Sequence, residues 1–128
     1  MIKEISKNGL TIKAAGIIDY YRERINKRGW KEVTGISDTG YPRFLATGIA
    51  YYKENEVLVI KYPKCLSGMY RKLIYHEVGH LAGLKHVNDK NKVMYPNFKR
   101  GEEGIKSIRD YFKQDDIDIE HMITETLR

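Results

Sequence analysis

"YHEVGHLAGLKHVNDKNKVMYP", residues 75–96, holds three of the chain's four histidines within eleven residues, with Met-Tyr-Pro beginning eight positions past the last of them. On an α-helix, His76 and His80 are four residues apart and project from one face, one turn above the other. Two neutral imidazoles so placed can share one Zn²⁺, each nitrogen about 2.0–2.1 Å from it. Glu77 falls about 100° further round the helix, beside such a metal rather than on it. A carboxylate there can take the proton of a metal-activated water.

Catalytic zinc usually has three protein ligands plus water. Gly83 supplies the means of reaching a third, because glycine tolerates the left-handed conformation that ends a helix and redirects the chain. His86, just beyond it, can then turn back to the metal. Away from the metal side, Tyr70, Ile74, Val78 and Leu81 form an apolar stripe that would bury the helix. H-E-x-x-H alone is a weak signal. Gly and His at two further fixed offsets make coincidence on the order of a thousandfold rarer.

The remaining sequence frames this segment. Residues 2–5 read as a short strand ended by Asn8-Gly9. Apolar residues from Ala14 to Ile25 recur at helical spacing, so a helix is expected over residues 11–28, closed by Gly29. The β-branched "KEVTGIS" after Trp30 reads as a strand, and "RFLATGIAYY" and "EVLVIKY" read as two more, joined by a polar turn. Ser67 is placed to cap the histidine-bearing helix. A last helix is expected over residues 115–127, acidic at its start, where carboxylates suit the macrodipole. The class is therefore α+β, a sheet backed by helices.

With 128 residues, 41% hydrophobic and 31% charged, the chain fits one soluble domain rather than a disordered or fibrous protein. That domain divides into residues 1–66 (helix plus sheet), 67–86 (active-site helix and third ligand) and 87–128. No apolar run is long enough to span a bilayer, and no membrane partner is expected. The first residues lack the uninterrupted apolar stretch of a secretory signal. The single cysteine, Cys65, is compatible with a reducing interior, so a cytoplasmic location is expected. Cys65 is expected to be a buried free thiol, and His121 a surface residue. The net charge of +6 comes from scattered lysines and arginines without a stacking aromatic stripe, so a nucleic-acid partner is not expected.

"HEVGHLAGLKH" followed by "VMYP" resembles the metzincin clan of zinc peptidases, and within it the matrixins most closely. The resemblance implies a small domain with a twisted mixed β-sheet, backed by an N-terminal helix and the active-site helix and followed by a Met-turn and a C-terminal helix. It implies one catalytic Zn²⁺ on His76, His80 and His86, Glu77 as general base, and Met94 in the Met-turn beneath the metal. "KQDDIDIEHM" is similar to the matrixin C-terminal helix, where the acid matching Asp115 ties that helix to the Met-turn region. Pro96-Asn97-Phe98 matches the wall of the pocket for the residue after the cut bond. "TGIAYY", with Gly48, Ile49 and Ala50, resembles the edge strand that pairs with an extended substrate.

The departures are specific. Val87 replaces a common serine, and no histidine lies before residue 76, so a structural zinc is not expected. The sheet region offers few acids, Asp38, Glu54 and Glu56, so the family's calcium ions are not expected either. The reading is a monomeric zinc endopeptidase acting on peptides or proteins. Its alternative is a silent zinc-containing interaction module on the same scaffold. Glu77 argues for the enzyme, since it is the residue such a module could most freely lose.

Overall fold

The computed structural model describes residues 1–97 and 101–128. Asn8 and Gly9, at φ 47° and 89°, make the two-residue turn between β1 (Ile2–Lys7) and β2 (Leu10–Ala15), an antiparallel hairpin. A turn of this length favours left-handed backbone at both positions, which Asn-Gly adopts at little cost. The helix expected from residue 11 therefore starts later, as α1 (Ile17–Arg28). Leu10, Ile12 and Ala14 are buried by strand alternation, and the hairpin turn decides between the two periodicities.

α1 stops at Gly29, whose N–H donates to the Ile25 carbonyl at 2.7 Å. The strand expected after Trp30 is instead a short helix, α2 (Trp30–Thr34). Only Val33 is buried there, and Gly35 N–H bonds the Lys31 carbonyl, so the backbone is satisfied locally. β3 (Gly48–Tyr51) and β4 (Glu56–Ile60) follow, both shorter than the sequence pattern suggests. β3 starts late because Arg43–Leu45 forms a 3₁₀ turn, and β4 ends before Lys61 and Tyr62. The sheet order is β1-β2-β4-β3, with β2 and β4 parallel and the other pairs antiparallel. It is a mixed sheet, and β3 is one of its edges.

α3 (Ser67–Leu81) carries His76 and His80. Ser67 is its first residue rather than its cap, and no side chain caps this end. Cys65 lies in the turn just before α3 and is exposed, not buried as expected, because that turn runs over the surface. α4 (Ile105–Lys113) has no counterpart in the sequence reading. The final helix, α5 (Ile119–Leu127), starts four residues later than expected, with the Asp118 carboxylate accepting from His121 N–H at 3.1 Å.

The two faces of β4 separate two layers. Val57 and Val59 pack with Tyr70, Ile74 and Val78 of α3 and with Met122 and Ile123 of α5, whereas Leu58 packs with Tyr20 of α1. The fold is thus α+β, a sheet between α1 on one side and α3 and α5 on the other. Glu120 of α5 fixes α3 by accepting from Arg71 Nη2 at 2.5 Å and Tyr75 Oη at 2.6 Å. Lys72 through Gly79 are all buried, so the side of α3 bearing His76 and Glu77 is enclosed as well as the apolar stripe, whose last member, Leu81, is half-buried. No described helix is long and apolar enough to cross a membrane.

Candidate metal centre

The histidines are oriented by backbone carbonyls. His76 Nδ1 lies 2.8 Å from the Val93 carbonyl, and His80 Nδ1 lies 2.9 Å from the Leu84 carbonyl. A carbonyl only accepts, so each Nδ1 carries the proton and each Nε2 keeps its lone pair. The turn that ends α3 places the second carbonyl. Gly83, at φ 89°, donates to His80 O at 2.9 Å, and Leu84 N–H donates to Gly79 O at 3.0 Å. This pair of bonds closes a helix through a left-handed residue. His86 then comes back beside α3, where Val87 N–H is held by the Met94 carbonyl at 3.2 Å.

The three Nε2 atoms converge, separated by 3.1, 3.2 and 3.2 Å. A tetrahedron with ligands about 2.0–2.1 Å from its centre has an edge of about 3.3–3.4 Å, so the donor set fits a tetrahedral ion with one position left over. Facing lone pairs on His76 and His80 have no bond to make with each other and call for a cation. Burial lowers the pKa of all three imidazoles, that of His76 to about 4 despite its carbonyl bond. Neutral imidazole is the form a metal needs. These three residues could hold a metal ion.

Glu77, 6% exposed, lies against the edge strand. A Cβ on Gly48 would stand 3.0 Å from Glu77 Cγ, 3.0 Å from Leu73 Cδ1 and 3.2 Å from Glu77 Oε1. Burial pushes the Glu77 carboxyl up to about 8, against the opposing charge of Arg24. Because of the contacts at Gly48, Gly48→Ala should displace that carboxyl while leaving the three imidazoles in place, which a crystal structure of the variant would check.

Met94 lies against the turn of α3 between the two histidines. It is buried, and its Sδ is 2.6 Å from where a Cβ on Gly79 would stand. Gly79 therefore lets Met94 approach the helix closely, and the neighbouring Val93 carbonyl reaches His76.

A cleft of about 900 Å³ runs along β3 and is lined by His76, Glu77, His80 and His86 together with Gly48, Ile49, Ala50 and Pro96. The anticipated ligands, base, edge-strand residues and Pro96 meet there, whereas Met94 packs behind them against Gly79 and Gly83 lies in the turn that ends α3. Phe98 lies outside the described residues. Asp115 is exposed, and its hydrogen bonds among the described residues are made by its backbone, to Phe112 and Asn8. The final helix is tied to α3 by Glu120 instead, since the chain leaves α4 at residues 114–116 with Asp115 facing solvent. His121 is exposed and outside the cluster.

Sequence reasoning missed the Val93 and Leu84 carbonyls and a charged wall made by Arg24, Glu32 and Arg43. Leu84 was within reach, four residues after His80 and next to a helix-ending glycine. Nothing local announces Arg24.

The family model that matches this chain is that of the matrixins, over residues 30–122, a segment running from α2 into α5 and containing the three histidines, Glu77, the edge strand and Met94. No curated protein and no solved structure matches the chain.

Proposed function

The chain belongs to the matrixin family, and on that footing we propose that it is a zinc-dependent endopeptidase, with residues 1–128 forming one catalytic domain. The observation that carries the reading is the convergence of three Nε2 lone pairs, two of them fixed by carbonyls, beside a buried carboxyl in a cleft bordered by a free strand edge.

His76, His80 and His86 hold the ion, and Met94 supports them from beneath. Zinc, when bound, supplies Lewis acidity toward the scissile carbonyl and the attacking water. Glu77 accepts the water's proton and later delivers it to the leaving amine. Its carboxyl lines the cleft beside Gly48, whose missing side chain leaves it room. A substrate lying extended along Gly48, Ile49 and Ala50 gains backbone hydrogen bonds from β3. Pro96 borders the pocket for the residue after the cut bond.

Purified protein is expected to contain about one equivalent of zinc, and to cut peptides in a manner abolished by a chelator and restored by zinc. Cleavage that survives chelation, or zinc-replete protein that cuts no member of a proteome-derived peptide library, would overturn the proposal.

A further inference from the structure

The cleft has a second charged wall, and one part of it comes from α1, ahead of the family-matched segment. Three side chains of α1 hold the backbone leading into β3. Tyr20 Oη donates to Ala46 O at 2.8 Å, Tyr21 Oη donates to Phe44 O, and Arg24 Nη1 donates to Arg43 O at 3.0 Å. The tyrosines do this without a charge. Arg24 supplies one of these three bonds, but a neutral donor could make it, and enclosing a guanidinium is costly unless its charge is matched.

At Arg24 the match is incomplete. The residue is 1% exposed, and its Nε has no hydrogen-bond partner among the described residues. Its carboxylate partner, Glu32, is 3.8 Å from Nη2 and is already engaged by Arg43 at 2.8 Å. Two guanidiniums therefore share one carboxylate, and all three side chains line the cleft that contains His76 and Glu77. Asp38 also lines it, but is exposed and forms no ion pair among the described residues, so water screens its charge. Arg24 Nε is enclosed and its guanidinium lies over the Tyr20 and Tyr21 rings, so a carboxylate in the cleft would first meet half-buried Arg43. The planar guanidinium of Arg43 suits a carboxylate better than any other peptide group, with the charge of Arg24 behind it.

We infer that the wall formed by Arg24 and Arg43 is a substrate subsite for a carboxylate, supplied by an Asp or Glu side chain or by a peptide's C-terminus. The inference rests on the peptidase reading and deepens it by naming acidic peptides as the substrate class. The chain's net charge of +6 favours the approach of such substrates.

The test has two arms. In the first, zinc-loaded protein is given peptides that carry Glu or Gln at each position in turn, with free or amidated C-termini. At one position the carboxylate form should have a kcat/KM about tenfold higher or more, and Arg24→Gln should reduce that ratio to within about twofold of unity. Arg24→Lys should restore part of it, which a purely structural role would not do. The position of the preference separates side chain from terminus. A wild-type ratio near unity, or a preference that survives Arg24→Gln, overturns the inference. If Arg24→Gln does not fold, Arg43→Gln carries the same comparison.

In the second arm, calorimetry measures the binding of the Glu and Gln peptides to zinc-loaded Glu77→Ala protein. Equal affinities across the panel overturn the subsite. Tighter binding of a Glu peptide supports it even if the wild-type chain cuts nothing, a result that would count against the peptidase reading alone.

Discussion

Peptide hydrolysis by Glu77→Ala should fall by about 10²–10⁴-fold while zinc content stays at the wild-type level. Glu77 sits on α3 between the two histidines in sequence but faces the edge strand, where Gly48 leaves room for its carboxyl. No part of the three-histidine set depends on it for a described hydrogen bond. Metal and base are therefore separable by mutation, and assays of zinc and kcat on one preparation check it. An Ala variant that cuts at the wild-type rate would remove Glu77 from the role.

The same residue makes a second prediction about metal-free protein. Its folded pKa is raised, to about 8 from an ordinary 4.5, so the folded chain keeps a proton that the unfolded chain releases at lower pH. The contribution is favourable in acid and is lost as pH rises through that window. Metal-free Glu77→Gln, which cannot ionise, should melt no lower than wild type at pH 5 and progressively above it towards pH 8. A Tm gap that narrows over that window would contradict the burial argument.

His80→Ala should lose both zinc and activity, with metal affinity down by more than about 100-fold. His80 is one corner of a near-equilateral set, its Nε2 3.2 Å from each of the other two. Its removal leaves two imidazoles and frees the Leu84 carbonyl that fixed the ring. Comparison with Glu77→Ala makes the roles distinct, since both variants are inactive but only one retains metal. One equivalent of tightly held zinc in His80→Ala would mean that the ion is held by other residues.

How much of this was legible from the chain depends on the range over which each feature is decided. The spacing of His76 and His80 and the break at Gly83 are local, and the helix that carries them runs where the spacing puts it. Strand β2 is ambiguous in sequence because Leu10, Ile12 and Ala14 alternate within a stretch that also scans as helical, and Asn8-Gly9, a hairpin turn with both residues left-handed, is the signal that resolves it. The buried residues of α4, Ile105, Ile108 and Phe112, recur at helical spacing and mark it as a helix in the sequence too. Arg24 belongs to another category. It reaches the cleft because α1 lies across the sheet from α3 and grips the segment before the edge strand, a relation fixed by tertiary packing. Asp115 is expected by likeness alone to tie the last helix to the Met-turn region. The described side-chain bonds from that helix reach α3 instead, from Glu120 to Arg71 and Tyr75, one turn apart, and from Thr126 to Tyr70.

The most direct measurement is a zinc-edge anomalous difference map from crystals of the zinc-loaded protein. One peak should appear about 2.0–2.1 Å from the Nε2 atoms of His76, His80 and His86, with no fourth protein ligand. A peak elsewhere on the chain, or an ion closed off by a fourth side chain, would contradict the account.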